Sequence, residues 1–173
     1  MSSRITIADY DPRWPEQFET LRSRIAAALG DLAIAIEHIG STAVPGLAAK
    51  PVIDIDVLMR SDVEFPLVTN KLALLGYDHR GDLGVPGRQA FRTPPGGFPH
   101  HLYVCATDSQ EYRRHIAFRN HLRTHPKDAN TYATLKRSLA DKFGDQREAY
   151  NQAKSQFVEE IVRHALQDPA TGD

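Results

Sequence analysis

The stretch VIDIDVLM, residues 52–59, constrains the fold of this chain more than any other. Val, Ile, Leu and Met surround two carboxylates, Asp54 and Asp56, one residue apart. Residues at i and i+2 on a strand face the same way, so a strand here projects both acids together, about 6–7 Å apart by strand rise. Ile53, Ile55 and Val57 then face the core. Two like charges on a half-buried face repel each other and resist desolvation. A divalent cation removes that penalty, and hard oxygen ligands suit Mg²⁺ or Mn²⁺. The competing explanation is a strand edge with both acids in water. The apolar flanks argue against it.

Upstream lies STAVPGLAAKP, residues 41–51, a loop by its Ser, Pro and Gly content. Gly40 allows backbone to approach a ligand closely. Ser41 adds a hydroxyl near exposed amides, and such a turn can hold phosphate oxygens as a backbone nest does. The loop is not a Walker A motif. Gly40 and Gly46 are followed by no Gly-Lys-Ser/Thr.

The remaining chain predicts an α+β fold. Phe18, Leu21, Ile25 and Leu29 recur at helical spacing and Gly30 stops them. Strands are expected at 32–39, 52–59 and 100–106, with a strand, a Gly-rich loop and a second strand across 76–93. A helix is expected over 62–75, ended by Gly76. Three helices should follow. The first starts near Tyr112 and ends by 125–126, because Pro126 disfavours helix at His125. The second carries Tyr132, Leu135, Leu139 and Phe143. The third carries Tyr150, Phe157, Ile161 and Ala165 and runs to Pro169. With 173 residues and no long linker, one domain is expected over 1–173. The sheet and catalytic core would occupy about 10–106 and the helical part about 108–168.

The net charge of −1 offers no long-range field for duplex nucleic acid or an anionic membrane. No apolar run approaches 18 residues, so no membrane span is expected. Cys105 is the single cysteine, which excludes an intramolecular disulfide and a thiolate metal cluster. A cytoplasmic location is the default. Arg88 follows a Gly-Pro loop and shares a strand face with Arg92. Its guanidinium suits a phosphate or a base, although a solvated, salt-bridging face fits equally well. His121 and His125 form H-L-R-T-H, which lacks the Glu of H-E-x-x-H, and no zinc site is expected there.

Gly40-Ser41, twelve residues, then Asp54-Ile55-Asp56 resembles the signature of the DNA polymerase β-type nucleotidyltransferase superfamily. EHIGSTAVPGLAAKPVIDI, GYDHRGDLGVPGRQAFR, PHHLYVC, HIAFRNHLRTHP and YATLKRSLADKF, in this order, resemble the GrpB (UPF0157) family. The resemblance runs from about Tyr10 to Ile161. It implies a nucleotidyltransferase-like mixed β-sheet flanked by helices, with a helical C-terminal half. A related domain is fused to dephospho-CoA kinase in some bacteria, which points to nucleotide or coenzyme metabolism.

The implied chemistry is Mg²⁺-dependent (or Mn²⁺-dependent) transfer of a nucleoside monophosphate from a nucleoside triphosphate to a small-molecule or protein acceptor. Gly40 and Ser41 would hold phosphates; Asp54 and Asp56 would hold one or two metal ions. Members of the superfamily carry a third acid on a later strand. The matching strand, HHLYVCA, has none. His101 there is a candidate metal ligand or general base, since its pKa lies near neutral. Tyr103 departs from the family's His-Leu-His. Arg119, Arg123 and Lys136 resemble the family's basic helical positions and would add phosphate contacts. Asn120 stands where the family often has Asp. Three readings follow: an active nucleotidyltransferase with one metal or two, a non-catalytic nucleotide- or anion-binding module, and a metal-dependent phosphohydrolase using water.

Overall fold

The computed structural model describes residues 4–167. Five strands form one mixed sheet in the order β1-β2-β5-β4-β3. They are β1 (Ala35–Ile39), β2 (Ile53–Met59), β3 (Asp78–His79), β4 (Gln89–Arg92) and β5 (His100–Ala106). β2 runs antiparallel to β1 and parallel to β5, while β4 is antiparallel to both β5 and β3. The acid-bearing strand is therefore central, which is why its flanks are so apolar.

One face of the sheet is dry. Ile53, Ile55, Val57, Leu102 and Val104 pack there against α1 (Trp14–Leu29) and α2 (Phe65–Leu74). In α1, Trp14, Leu21, Ile25 and Leu29 supply the buried stripe, and Gly30 ends it at φ +55°. Each fully buried aliphatic side chain is worth roughly 1.5–3 kcal/mol, so this layer anchors β2. The helix expected over 62–75 is shorter than its pattern. Asp62–Glu64 form a 3₁₀ turn, and α2 starts at Phe65 because Pro66 sits in its first turn.

Three helices complete the fold: α3 (Gln110–Thr124), α4 (Pro126–Phe143) and α5 (Arg147–Gln167). Ser109 caps α3 by accepting a bond from the Tyr112 amide at 3.2 Å. His125, at ψ 79°, breaks the helix before Pro126 as expected. Phe118, Leu122, Tyr132, Ile161 and Val162 form a second core with Val44 and Leu47 from the loop before β2. That core fastens the loop to the C-terminal helices. The expected stop of α5 at Pro169 lies outside the described residues. The expected strand at 32–39 begins at Ala35, because Gly30–Leu32 form a 3₁₀ turn.

Candidate functional site

Pairing of β2 with β5 sets the chemistry. The parallel register places Asp54 beside His101 and Asp56 beside Tyr103. His101 Nδ1 donates to Asp54 Oδ1 at 2.7 Å. That bond raises the His101 pKa, against the opposing effect of burial. Asp54 is 28 % exposed and His101 58 %, so this pair opens to solvent.

Asp56 is different: its side chain is fully buried. Its partner comes from α3. His115 Nδ1 donates to Asp56 Oδ2 at 2.7 Å, and His115 Nε2 lies 3.2 Å from Glu111 Oε1. Burial alone would lower the His115 pKa. The bonds to Asp56 and Glu111 outweigh it and push the imidazole up to about 9. Burial raises Asp56, with His115 opposing, and the His115 bond lowers Glu111. The imidazolium supplies the positive charge that makes a buried carboxylate tolerable. Asp56 Oδ1 stays buried with no hydrogen-bond partner.

The Gly40-Ser41 turn is fitted to the same strand. Gly40 has φ 71°, ψ −170°, a region open essentially to glycine alone. A Cβ there would overlap Asp54 Oδ2 and stand 3.2 Å from Asp54 Cβ and Cγ. Ser41 begins a short 3₁₀ turn, Ser41–Ala43. Lys136, from α4, donates to Ser41 Oγ at 2.8 Å and to the Ala48 carbonyl, with its Nζ 4.5 Å from the Tyr132 ring centroid. It is 3 % exposed, and burial pushes its pKa down to about 7.

A cleft of about 700 Å³ opens over Asp54 and Ser41. Lys50, Lys136, Arg147 and Lys154 line it. Burial and then the neighbouring Lys154 and Arg147 push Lys50 down to about 8, and burial lowers Lys154. Burial and repulsion from neighbouring cations act together on Lys50 and Lys136. Arg88 stands at the other end, its guanidinium 4.3 Å from the Tyr103 ring centroid. Burial pushes the Tyr103 phenol up to about 12, so it stays neutral.

Of the residues picked out by sequence, Gly40, Ser41, Asp54, Arg88, His101 and Lys136 all reach this cleft or the cavity beside it. Arg119 and Arg123 are spent elsewhere. Arg119 is buried and donates to Glu37 Oε2 at 2.7 Å, the His38 carbonyl at 3.0 Å and Asn120 Oδ1 at 3.0 Å. Arg123 donates to the Ala43 carbonyl at 2.9 Å. Both tie α3 to the segment carrying Gly40-Ser41, so they position the turn. Arg92 pairs with Asp78 at the sheet's far edge.

Glu111, His115, Lys50 and Lys154 were not among the residues picked out. The Glu111–His115–Arg119 series at i, i+4 was the available signal. Two carboxylates on one strand face, one with a buried unpartnered oxygen, fit a single hard cation such as Mg²⁺ or Mn²⁺ completed by water and phosphate oxygens. Among the described residues, no three or more His, Cys, Asp or Glu side chains are gathered to hold a metal by themselves. No described helix is long and apolar enough to cross a membrane.

The "GrpB protein" family profile matches residues 4–164. The UPF0157 protein YqkA of Bacillus subtilis is 33 % identical over 162 residues, covering 94 % of this chain. The chain spans about half, 47 %, of that relative. A crystal structure of the conserved protein GrpB from Enterococcus faecalis superposes with a TM-score of 0.85 and 37 % identity, covering 94 % of this chain and 98 % of the other. The Cid1 poly(U) polymerase bound to MgATP shares the fold, with a TM-score of 0.53 and 14 % identity over 75 % of this chain and 42 % of that one. The sheet thus shares the fold of that polymerase, and the chain belongs to the GrpB family.

Proposed function

We propose that the protein transfers a nucleoside monophosphate from a nucleoside triphosphate to an acceptor, releasing pyrophosphate. One observation carries this reading: Asp54 and the Gly40-Ser41 turn are built against each other at the mouth of a cleft lined by cations. The shared fold with a polymerase crystallised with MgATP supports it.

In this mechanism Ser41, Lys136, Lys50 and Lys154 bind the triphosphate, and the crowded lysines draw it in. Asp54 and Asp56 would hold a divalent cation, which supplies charge neutralisation on the phosphates. His101 orients Asp54. His115, itself held by Glu111, fixes Asp56 in place. The acceptor oxygen attacks the α-phosphorus. A P–O bond forms to the acceptor, the bond to the pyrophosphate oxygen breaks, and the acceptor proton passes to the Asp54–His101 pair. Catalysis of this kind rests on positioning and electrostatics more than on covalent help.

Calorimetry with ATP, GTP, CTP and UTP plus Mg²⁺ is expected to show binding of at least one. Asp54→Asn should weaken it by roughly tenfold or more, the scale of one lost charged contact. Absence of heat for all four with the wild type sinks the proposal. A non-catalytic module is the second reading, favoured by β5, which sets His101 and Tyr103 beside Asp54 and Asp56 and carries no carboxylate. It predicts the same binding with no pyrophosphate formed.

A second signature separates triphosphate binding from adventitious heat. Lys136 near 7 and Lys50 near 8 are partly neutral at pH 8. A bound triphosphate raises both, so binding takes up roughly one proton. The binding enthalpy at pH 8 should therefore change with the ionisation enthalpy of the buffer. Lys136→Met should reduce that dependence. A buffer-independent enthalpy counts against lysine contacts to phosphate.

A further inference from the structure

A second, smaller cavity of about 200 Å³ adjoins the cleft behind Asp54. It shares Asp54, Arg88, Tyr103, Glu111, Phe118 and Val158 with the cleft. Ile39 and Val162 belong to the cavity alone and, with the shared Phe118, give it an apolar side, and none of the cleft lysines reaches it.

Its charged groups are mostly committed. Arg114 lies 3.4 Å from Glu111 and also pairs with Glu159. His115 is held between Asp56 and Glu111. Arg88 is the exception. Its Nε is buried with no hydrogen-bond partner, and its guanidinium carbon lies 4.3 Å from the Tyr103 ring centroid. A buried donor without a partner is costly, and an acceptor brought against it would remove that cost. A planar guanidinium suits a carboxylate or a phosphate.

Size narrows the class further. At about 30 Å³ per water-sized group the cavity holds roughly seven non-hydrogen atoms. Drug-sized ligands need larger pockets, of about 300–1,000 Å³.

We infer that this cavity binds a small hydroxylated organic anion, its carboxylate or phosphate on Arg88, its short carbon body against Ile39, Phe118 and Val162, and its hydroxyl toward Asp54. Calling this molecule the acceptor rests on the nucleotidyltransferase reading; the binding itself does not. The acceptor is then a metabolite-sized acid.

The test is ligand-observed NMR on the full chain with probes of matched size: glycerate and glycerol 3-phosphate as anions, glycerol as the neutral control, ethanolamine as the cation. One or both anions should bind, and glycerol and ethanolamine should not. The two anions tell a carboxylate site from a phosphate site. Arg88→Gln should weaken the anion at least tenfold. Val162→Phe should block it while leaving nucleotide binding in the cleft unchanged. Equal binding of glycerol, no binding of either anion, or an unchanged affinity in Arg88→Gln overturns the inference. Nucleotide binding without anion binding overturns the subsite and leaves the transferase reading standing. Anion binding without nucleotide binding supports the subsite and removes the transferase reading.

Discussion

Replacing His115 by leucine is expected to destabilise the protein by about 3–5 kcal/mol, the range for breaking a buried ion pair from one side. The reason is Asp56. Its carboxylate is fully buried, its Oδ1 has no partner, and its Oδ2 depends on His115. Leucine leaves a charge with nothing to oppose it. Converting both members to neutral groups, Asp56→Asn with His115→Gln, should recover most of the loss, because a neutral pair carries no charge to desolvate. Nucleotide binding should stay weak in the double variant. Urea denaturation of the wild type, His115→Leu and the double variant measures this loss and its recovery. If His115→Leu unfolds at the wild-type midpoint, His115 does not balance Asp56.

The pH dependence gives the same pair a sign. His115 rises from its ordinary 6.5 to about 9 on folding. The folded state then binds the proton more tightly, so this stabilisation is complete below 6.5 and is lost as pH climbs through 9. Its full size is of order 3 kcal/mol. Lys136 works oppositely. Its pKa falls from 10.5 to about 7, so its contribution makes the protein more stable as pH rises from 7 to 10.5. The two slopes largely cancel between 7 and 8 in the wild type, and the depressed Lys50 adds a rise above 8. In His115→Leu the stability curve should turn upward across that window, and in Lys136→Met it should fall. Retention of the wild-type slope by His115→Leu would remove the assignment of its proton.

The parts of the fold that sequence made legible are local. Alternation in VIDIDVLM marks a strand and shows both acids on one face. The stripes after Asp108, punctuated by Pro126 and Gly144, mark three helices with nearly their observed bounds. The order β1-β2-β5-β4-β3 was out of reach, because it depends on pairing between strands far apart in the chain. The site divides in the same way. Gly40, Ser41, Asp54 and Asp56 lie close together in sequence and announce themselves. Arg119 and Arg123 looked like free cations on a helix face. Their partners, Glu37, the His38 carbonyl and the Ala43 carbonyl, are some eighty residues away. The missing third acid shows the limit most sharply. Its usual place on β5 holds no carboxylate, yet Glu111 reaches the cavity from α3 and meets Asp56 through His115. The i, i+4 spacing of Glu111 and His115 is visible in the sequence, but Asp56 as their target is visible only once α3 lies across the sheet.

Gly40→Ala should be the most damaging single methyl group in the protein. Two independent effects add. At φ 71° and ψ −170° a side chain strains the backbone by about 1–3 kcal/mol. The new Cβ also overlaps Asp54 Oδ2. The carboxylate cannot swing freely to make room, because Oδ1 accepts from His101 and its strand is locked between β1 and β5. The turn cannot retreat either. Arg123 holds the Ala43 carbonyl, and Lys136 holds Ser41 Oγ and the Ala48 carbonyl. Either the turn lifts and takes the phosphate site with it, or Asp54 leaves its place beside His101. Both outcomes separate the two halves of the site, so nucleotide affinity should fall by roughly a hundredfold, the equivalent of about 3 kcal/mol. Gly46→Ala makes the control. That glycine also has positive φ, 80°, but a Cβ there meets nothing within 4 Å. It should show backbone strain in thermal denaturation with little change in nucleotide affinity by calorimetry. Equal affinities for Gly40→Ala and Gly46→Ala would mean that the contact between the turn and Asp54 does not shape the binding site.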